Sequence, residues 1–401
     1  MCAISRPRCQ LSVLKVANII EDARIAGPQV RIVRVAAALA NCVETTVVMP
    51  ELDSQEFRSI CQKNNISVMP IKLTRLSKRW TGILRYLFSF PTEVFSLAVA
   101  LKRLNVDLVH VSGGSWQYKG VIAARLSGVP AVWHLNDSYC PSAIRGIFFF
   151  LSPLASGWIF ASNATKKYYS RYIIGDKKWS IVPSAIGTPS SLEEVVRERK
   201  MSRGPYAHRT KAVAPVVGTV ASVNPIKGLE DLLRAVAIAQ KEITDLEVVI
   251  VGPVYESQKT YHQKLVSLAD SLNVQNLRWE GYHRNVRPFL NAIDVYVCSS
   301  LAESSPNSVW EAMSCGCPIV STDVGDVGLH VDNAQCGIVV PVEDYVSLAD
   351  GITRVLCDNR LAKRLSGNAA KYAFSTFSES VVADKTLEAY RMVLGDTNYE
   401  N

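Results

Sequence analysis

Short runs rich in valine and isoleucine alternate with longer helical patterns along almost the whole chain, and this alternation is the strongest constraint on the fold. The first half contains predicted strands at 13–20, 45–48, 67–71, 107–111, 131–135 and 157–161, with helices such as 30–40 and 120–126 between them. A second series of predicted strands follows at 216–221, 247–251, 294–298, 319–321 and 337–340. Strands that alternate with helices are typical of an α/β protein with parallel sheets.

The 401 residues are too many for one ordinary core and suit two domains. The stretch 187–211 mixes Gly, Pro, Ser and charged residues without a clear strand, which favours a connection there. We therefore predict a Rossmann-like domain at 1–185, a connection at 186–213, a second Rossmann-like domain at 214–375 and a terminal segment at 376–401. Ligands of such doubly wound sheets bind at the carboxyl ends of the strands, so a cleft between the two domains is expected.

Charge is divided unequally between the two halves. Residues 1–185 carry 23 Lys and Arg against 10 Asp and Glu, whereas residues 186–401 carry 21 against 26. The basic half predicts an anionic partner, and no helix-turn-helix, zinc-finger or RNA-binding signature accompanies it, so nucleic acid is not expected. A phospholipid surface or a phosphorylated acceptor fits the charge better.

Two apolar stretches bear on membrane contact. The segment 144–161 contains Pro153 and Gly157 and is short, which favours a buried helix and strand over a membrane span. Arg75, Lys78 and Arg79 beside Trp80 predict an interfacial helix that attracts anionic lipid, although an ordinary amphipathic helix fits equally well. With no secretory signal and no disulfide framework evident among ten cysteines, we expect a cytoplasmic protein, with the inner face of the membrane as a candidate surface.

The most informative segment runs from Ala302 to Met313 and reads AESSPNSVWEAM, directly after an apolar strand. Ser305 is a natural helix N-cap and Pro306 a natural first helical residue. The amides near Asn307 and Ser308 would then offer donors, and the positive end of the helix dipole, to a diphosphate. Farther upstream, Lys227 in a strand-to-helix loop is placed to reach the same kind of anion.

Glu303 and Glu311 lie eight residues apart around this predicted helix start. Their spacing resembles the E-x7-E motif of the retaining glycosyltransferases called group 1, or family 4. The following stretch, EAMSCGCPIVSTDVGDVGLHV, and the preceding EGYHRNVRPFLNAIDVYVCSSLAE are also similar to that family. The resemblance covers most of 214–392 and, more loosely, 13–185. It implies a GT-B architecture, with the donor held by the second domain, the acceptor by the first, and the last helix packed back on the first.

The resemblance also implies roles for individual residues. The residue matching Glu303 contacts the transferred sugar, the one matching Glu311 binds the nucleotide ribose, and the Lys matching Lys227 neutralises the departing diphosphate. Tyr282 would lie near the base, and His134 is expected close to the reacting sugar. Retention of configuration, by attack on the face from which the diphosphate leaves, is implied in the same way.

The chain departs from the family pattern at two places. Ser222 stands where relatives usually have a second phosphate-neutralising Arg, and Arg24, Arg145 and Arg171 are candidate replacements. Where many relatives have a Gly-Gly loop after the first strand, this chain has only Gly27, which still lets backbone approach a diphosphate.

No Asp-x-Asp triplet occurs in the sequence, so we expect no metal and no cofactor, with Lys227 and helix amides in place of an ion. The expected partners are a nucleotide sugar as donor substrate and a saccharide or lipid-linked acceptor. Two alternatives stay open: a sugar-nucleotide epimerase of similar fold, and a catalytically weak nucleotide-sugar-binding protein, which Ser222 favours. The missing Gly-x-Gly-x-x-Gly turn argues against a dinucleotide oxidoreductase.

Overall fold

The computed structural model describes residues 13–76, 80–137, 139–189, 191–202 and 214–395. They form two compact units, one from residues up to 185 together with the chain from 379 onward, and one from 186 to 378. Each unit has a fully parallel sheet with helices on both faces, so the predicted α/β class is confirmed.

The first unit has a seven-stranded sheet in the order β3-β2-β1-β4-β5-β6-β7. Its strands are β1 Leu14–Ile19, β2 Val43–Pro50, β3 Ser67–Ile71, β4 Leu108–Val111, β5 Ala131–Leu135, β6 Gly157–Phe160 and β7 Trp179–Ile181. The helices around it are α1 Gly27–Ala38, α2 Gln55–Lys63, α3 Trp80–Leu104, α4 Tyr118–Ser127, α5 Ser142–Leu151, α6 Asn163–Tyr169 and, from the end of the chain, α15 Glu379–Leu394.

The second unit has a six-stranded sheet in the order β10-β9-β8-β11-β12-β13. Its strands are β8 Val216–Val220, β9 Glu247–Val251, β10 Leu277–Gly281, β11 Val295–Cys298, β12 Ile319–Thr322 and β13 Gly337–Val340. The helices are α7 Leu192–Ser202, α8 Leu229–Ala239, α9 Lys259–Ser271, α10 Arg287–Ala292, α11 Asn307–Ser314, α12 Val327–Ala334, α13 Tyr345–Cys357 and α14 Asn359–Phe377.

The central strands are buried on both faces, as expected for parallel sheets covered by helices.

Two helices differ from the sequence interpretation. Helix α7 occupies part of the predicted connection and packs in the second unit, where Arg199 donates hydrogen bonds to the carbonyl oxygens of Ile293 and Cys315. Helix α5 is not the buried helix expected, because only Phe148 of its residues is buried while Ile147 and Phe150 are exposed.

Among the described residues, α3 is the one helix long and apolar enough to cross a membrane by length and composition, and 33% of its apolar window is buried within the protein. The basic residues Lys78 and Arg79 lie outside the described residues.

Six of the cysteines are buried free thiols and Cys357 is an exposed one. Cys42 is disulfide-bonded, which the sequence did not lead us to expect.

Candidate functional site

The second unit has its topological switch point between β8 and β11. From β8 the chain winds outward to β9 and β10, and from β11 it winds the opposite way to β12 and β13. The loops that leave the carboxyl ends of β8 and β11 therefore diverge and leave a crevice, which is where open α/β sheets bind ligands. The first loop carries Lys227 and the second carries Glu303.

The loop after β8 is fixed by local hydrogen bonds and by one glycine. The Asn224 side chain accepts a hydrogen bond from the Ile226 amide at 3.1 Å and caps the one-turn 3-10 helix Pro225–Lys227. Gly228 then adopts a φ of +56°, and a Cβ there would lie 2.1 Å from the carbonyl oxygen of Ser299. Only glycine allows this backbone conformation and this close approach, so Gly228 sets the position of Lys227.

The loop after β11 is tied to the first loop through backbone groups. The Leu301 amide donates to the Ile226 carbonyl oxygen at 2.8 Å, and the Ser299 hydroxyl donates to the Lys227 carbonyl oxygen at 3.0 Å. From the other side, the Thr322 hydroxyl donates to the carbonyl oxygen of Ser300 at 2.6 Å. The two loops therefore form one connected structure.

Lys227 and Glu303 meet in an ion pair. The Lys227 Nζ lies 2.6 Å from the Glu303 Oε1, and the Ser300 hydroxyl donates to the same oxygen at 2.8 Å. Both side chains are partly exposed, at 22% for Lys227 and 14% for Glu303. The pair is therefore fixed by its neighbours yet within reach of a ligand. Ser300 was not among the residues singled out from the sequence.

Helix α11 begins differently from the sequence interpretation. Its first residue is Asn307, and Pro306 is the cap residue with a ψ of 106°, which is not helical. Ser305 therefore does not cap the helix. Its hydroxyl oxygen instead accepts a hydrogen bond from the Trp310 indole nitrogen at 3.0 Å. The first amides of the helix, at Asn307 and Ser308, remain without intrahelical acceptors, as at any helix start.

The other predicted residues of the second unit are spread along the same sheet edge. Glu311 is the fifth residue of α11, about one turn in, and is partly exposed beside the fully buried Trp310. Tyr282 is exposed and follows Gly281 at the end of β10, three strands away from β11. At about 4.8 Å per strand it lies well apart from the Lys227–Glu303 pair. The hydroxyl oxygen of Ser222 accepts a hydrogen bond from the side-chain nitrogen Nδ2 of Asn224 at 2.8 Å.

In the first unit, Gly27 is the first residue of α1 and has no positive φ. The expected loop is therefore a helix start, where the Ala26 amide donates to the side chain of Gln29 at 3.1 Å. All three candidate arginines belong to this unit. Arg24 is paired with Asp22, and Arg145 lies 5.1 Å from the centre of the Tyr172 ring.

His134 lies inside β5, within the predicted strand 131–135, and is 2% exposed. Its Nδ1 is 3.2 Å from the Nε2 of His110 in β4, and the His110 Nδ1 is 2.7 Å from the hydroxyl of Tyr390 in α15. Burial, and then the nearby Arg31 cation, hold the pKa values of both histidines well below the usual range. Asp137, two residues after the end of β5, accepts a hydrogen bond from the Ser115 hydroxyl at 3.1 Å.

A cavity of about 260 Å³ lies in the first unit at the carboxyl ends of β1, β2 and β3. Three arginines and three acidic residues contribute to its lining together with Thr74: Arg24, Arg75, Arg85, Glu21, Asp22 and Asp53. Asp22 accepts from Arg24 and is 3.4 Å from Arg75, so Arg85 is the cation of this lining without an ion-pair partner among the described residues. The cavity suits a small polar ligand with an anionic group, and no local sequence motif indicates it.

Beneath this cavity lies a buried charge cluster that was also missed. The Lys119 Nζ is 2.7 Å from Glu93 and 3.7 Å from Glu21, and all three side chains are buried. Burial raises the pKa of Glu21 to about 7, against the lowering effect of Lys119. A neutral Glu21 beside a Lys119–Glu93 pair leaves the cluster without net charge, which is the arrangement that low-dielectric surroundings favour.

Among the described residues, no group of three or more His, Cys, Asp or Glu could hold a metal ion.

Comparisons with known proteins give matches in both units. The model of the family "Glycosyl transferases group 1" matches residues 214–358, and that of "Glycosyltransferase Family 4" matches residues 25–188. The chain is 29% identical over 180 residues to the lipopolysaccharide core biosynthesis glycosyltransferase LpsE of Rhizobium meliloti (strain 1021), covering 45% of this chain and only 50% of that protein.

A longer match, 24% identical over 309 residues, is to the UDP-Gal:alpha-D-GlcNAc-diphosphoundecaprenol alpha-1,3-galactosyltransferase of Escherichia coli, and covers 74% of this chain and 78% of that one. In fold, the chain is similar to the crystal structure of Anabaena Alr3699/HepE in complex with UDP, with a TM-score of 0.77 at 18% identity, covering 94% of this chain and 99% of that one. Two family models that together span both units, and a shared GT-B fold, show that this chain belongs to the group 1, or family 4, glycosyltransferases.

Proposed function

We propose that the protein is a retaining, metal-independent glycosyltransferase that moves a hexose-type sugar from a nucleotide-diphosphate donor to a saccharide or lipid-linked acceptor. The observation that carries this proposal is the Lys227–Glu303 pair, which lies at the switch point of the second unit just before the start of α11. A cation, a carboxylate and free helix amides in one crevice match the diphosphate and sugar ends of such a donor.

The donor would separate the ion pair when it binds. Its diphosphate takes the Lys227 ammonium and the amides of Asn307 and Ser308, while Glu303 turns to the hydroxyl groups of the sugar. The bond between the anomeric carbon and the phosphate oxygen then breaks as Lys227 neutralises the charge that develops on the leaving group. The acceptor oxygen bonds to the anomeric carbon on the same face, and its proton passes to the leaving phosphate oxygen.

The cavity of the first unit is the proposed acceptor site. Its arginines favour an acceptor with a phosphate or diphosphate group, because one guanidinium group can donate two parallel hydrogen bonds to two phosphate oxygens. The name of the Escherichia coli relative records UDP-galactose and a sugar carried on diphosphoundecaprenol, and that of the Rhizobium relative records lipopolysaccharide core biosynthesis. Both support a role in glycolipid or polysaccharide assembly for this chain.

Contact with a membrane is part of the proposal. Helix α3 buries one face, which includes Val94 and Leu97, and exposes apolar side chains on another, which include Trp80, Leu87 and Phe88. A basic unit that presents exposed aromatic and aliphatic residues suits the interface of an anionic membrane. A peripheral enzyme at the inner face of the membrane is the arrangement that would meet a lipid-linked acceptor.

Product analysis with purified protein and a panel of nucleotide sugars tests the proposal. We expect a glycosylated acceptor with the donor's anomeric configuration, and activity that survives EDTA. Lys227→Met should lower kcat by roughly a hundredfold, as expected for loss of one group that stabilises transition-state charge. Lys241→Met, at an exposed turn residue just after α8, should leave kcat unchanged.

Other products would contradict the proposal in distinguishable ways. Release of an epimerised sugar without transfer would identify an epimerase. Tight nucleotide-sugar binding without any turnover would identify a binding protein, the reading that Ser222 favours. A loss of activity in EDTA that added metal restores would show that an ion, and not Lys227 alone, neutralises the diphosphate.

A further inference from the structure

The cavity of the first unit and the buried charge cluster beneath it share two residues, Glu21 and Thr74, which both line the cavity. In the cluster, Glu21 lies 3.7 Å from the Lys119 ammonium, and the Thr74 hydroxyl donates to Glu93 at 3.1 Å. A cavity of about 260 Å³ is small, so any anion inside it lies within several ångström of Glu21. The cavity and the cluster are therefore close enough to influence each other electrostatically.

The hydrogen bonds of Lys119 leave Glu21 without a cation of its own. The three protons of the Lys119 ammonium go to the Glu93 carboxylate at 2.7 Å, to the Thr74 hydroxyl oxygen at 3.1 Å and to the Thr74 carbonyl oxygen. Glu21, at 3.7 Å, is beyond hydrogen-bond distance. Its carboxyl accepts instead from two neutral donors, the backbone amide of Lys119 at 3.1 Å and the Tyr86 hydroxyl at 3.3 Å. Glu21 is thus the spare carboxyl of the cluster.

Groups on every side of Glu21 influence its charge. Burial raises its pKa to about 7, against the lowering effect of Lys119 and of the Tyr86 hydroxyl. At neutral pH, Glu21 is therefore close to half protonated, and its charge responds to any new charge nearby. The titratable and charged groups around it are Lys119 and Tyr118 of α4, Tyr86 and Glu93 of α3, and, in the cavity lining, Asp22, Asp53, Arg24, Arg75 and Arg85.

The protonation of Glu21 decides the net charge of the cavity lining. With Glu21 charged, the three arginines of the lining are balanced by Asp22, Asp53 and Glu21. With Glu21 neutral, the lining has one positive charge in excess. Arg24 and Arg75 both contact Asp22, so the excess charge is available at Arg85, which has no ion-pair partner among the described residues.

We propose that the cavity is a proton-linked anion site, in which Arg85 binds a doubly charged phosphate-type group and Glu21 takes up a proton from the solvent as that group arrives. The proposal rests on the proposed function, in which this cavity holds the acceptor, and adds a pH control to it. The linkage is reciprocal: the anion favours protonated Glu21, and protonated Glu21 favours the anion. Binding of the acceptor should therefore weaken as the pH rises above about 7.

The test follows Glu21 itself and does not depend on activity. NMR of the side-chain carboxyl carbons in glutamate-labelled protein, assigned with Glu21→Gln, gives the pH at which Glu21 titrates. Inorganic sulfate is the first probe, because it is a tetrahedral dianion whose charge stays constant over this pH range. We expect excess sulfate to raise the titration midpoint by roughly one pH unit. The signal is local, so sulfate bound at other cations, Lys227 included, does not contribute.

The affinity for sulfate, read from the same NMR signal, provides a second measurement on the wild-type protein. By linkage, a midpoint raised by roughly one unit requires the affinity to fall about tenfold as the pH rises through the same interval. Methyl phosphate and dimethyl diphosphate then stand for the two sources of such a group, a sugar phosphate and a lipid-linked diphosphate. The one that moves the midpoint at the lower concentration identifies the kind of acceptor.

Arg85→Met should remove the effect of sulfate on the Glu21 midpoint. Arg103→Met is the matched control, because Arg103 is exposed farther along the same helix and outside the cavity lining, and it should keep the effect. An unmoved midpoint in excess sulfate, or an equal shift in Arg85→Met and wild type, would overturn the proposal. If the midpoint shifts as expected but no sugar is transferred, the anion site stands and the proposed function fails. Sugar transfer without the shift would leave the proposed function and remove the proton-linked site.

Discussion

Lys227 and Glu303 form an ion pair in which the two charges satisfy each other. Their contact at 2.6 Å, with Ser300 donating to the same carboxylate oxygen, keeps two partly buried ionic groups paired. A bound diphosphate would replace Glu303 as the partner of Lys227 and release the carboxylate for the sugar. One side-chain contact would thus couple recognition of the two ends of the donor.

Glu311 gives a test of donor binding at the scale of one residue. Its position one turn into α11, partly exposed beside buried Trp310, suits a carboxylate that accepts two hydrogen bonds from a ribose diol. We expect Glu311→Ala to weaken binding of the nucleoside diphosphate by about 2 kcal/mol, or roughly thirtyfold. Isothermal titration calorimetry measures the change, and Glu256→Ala, on an exposed side chain, is the control. Unchanged affinity in folded Glu311→Ala would remove the ribose assignment.

Glu21 makes the stability of the first unit depend on pH. Burial raises the pKa of Glu21 from 4.5 to about 7, so the folded protein binds a proton that the unfolded chain has released between these values. The stabilisation by this group is complete below pH 4.5 and is lost as the pH rises to about 7. At 1.36 kcal/mol per pKa unit, the loss is about 3 kcal/mol.

The variant Glu21→Gln keeps a neutral side chain at every pH. We therefore expect its free energy of unfolding, relative to that of the wild type, to be higher in mildly alkaline buffer than in mildly acidic buffer. Urea unfolding at several pH values measures this difference. A difference between the two proteins that stays constant with pH would show that Glu21 is charged throughout.

At the scale of elements, the site depends on how the loops after β8 and β11 are held together. Gly228 allows the contact, since a Cβ there would meet the Ser299 carbonyl oxygen at 2.1 Å. We expect Gly228→Ala to lower the free energy of unfolding by about 2 kcal/mol or more, because alanine is strained at a positive φ and its Cβ would push the loop after β11 away. Displacement of that loop should also weaken donor binding. Denaturant unfolding and nucleotide titration measure the two effects.

Gly367 provides the matched control for Gly228. It lies within α14, where a Cβ would meet no other atom within 4 Å. Gly367→Ala should raise the stability by roughly 0.5–1 kcal/mol, as for any glycine replaced in a helix interior, and leave donor binding unchanged. If Gly228→Ala behaved in the same way, the loop contact would not position the site.

At the scale of the whole molecule, the excess of positive charge in residues 1–185 and the exposed apolar face of α3 predict docking on an anionic membrane. We expect the protein to sediment with vesicles of mixed phosphatidylglycerol and phosphatidylcholine but not with phosphatidylcholine alone, and high salt to release it. The double variant Trp80→Ser and Phe88→Ser should bind less, because these side chains are 71% and 83% exposed. Val346→Ser, in the second unit, is the control. Wild-type protein that ignores anionic vesicles at low salt would contradict the docking.

Much of the fold was predictable because of how parallel sheets are buried. Strands such as Ala131–Leu135 and Glu247–Val251 lie inside their sheets and consist mostly of apolar residues, so their bounds agreed with the structure. The edge strands Trp179–Ile181 and Leu277–Gly281 were missed, since they are only partly buried and carry polar residues. Helix Leu192–Ser202 was missed because its charged side chains suggested a solvated turn, whereas Arg199 bonds backbone carbonyls of its unit.

By itself the sequence determined the alternation of strands and helices and the α/β class, because periodicity is local along the chain. Its resemblance to a known family also singled out Lys227 and Glu303 as candidate site residues. The tertiary structure alone decided which distant residues meet. It brought Lys227 within 2.6 Å of Glu303, placed Lys119 between Glu21 and Glu93, and connected His134 to Tyr390 through His110. Those contacts depend on sheet order and on helix packing, which bring together groups up to 280 residues apart in sequence, and no local pattern encodes them.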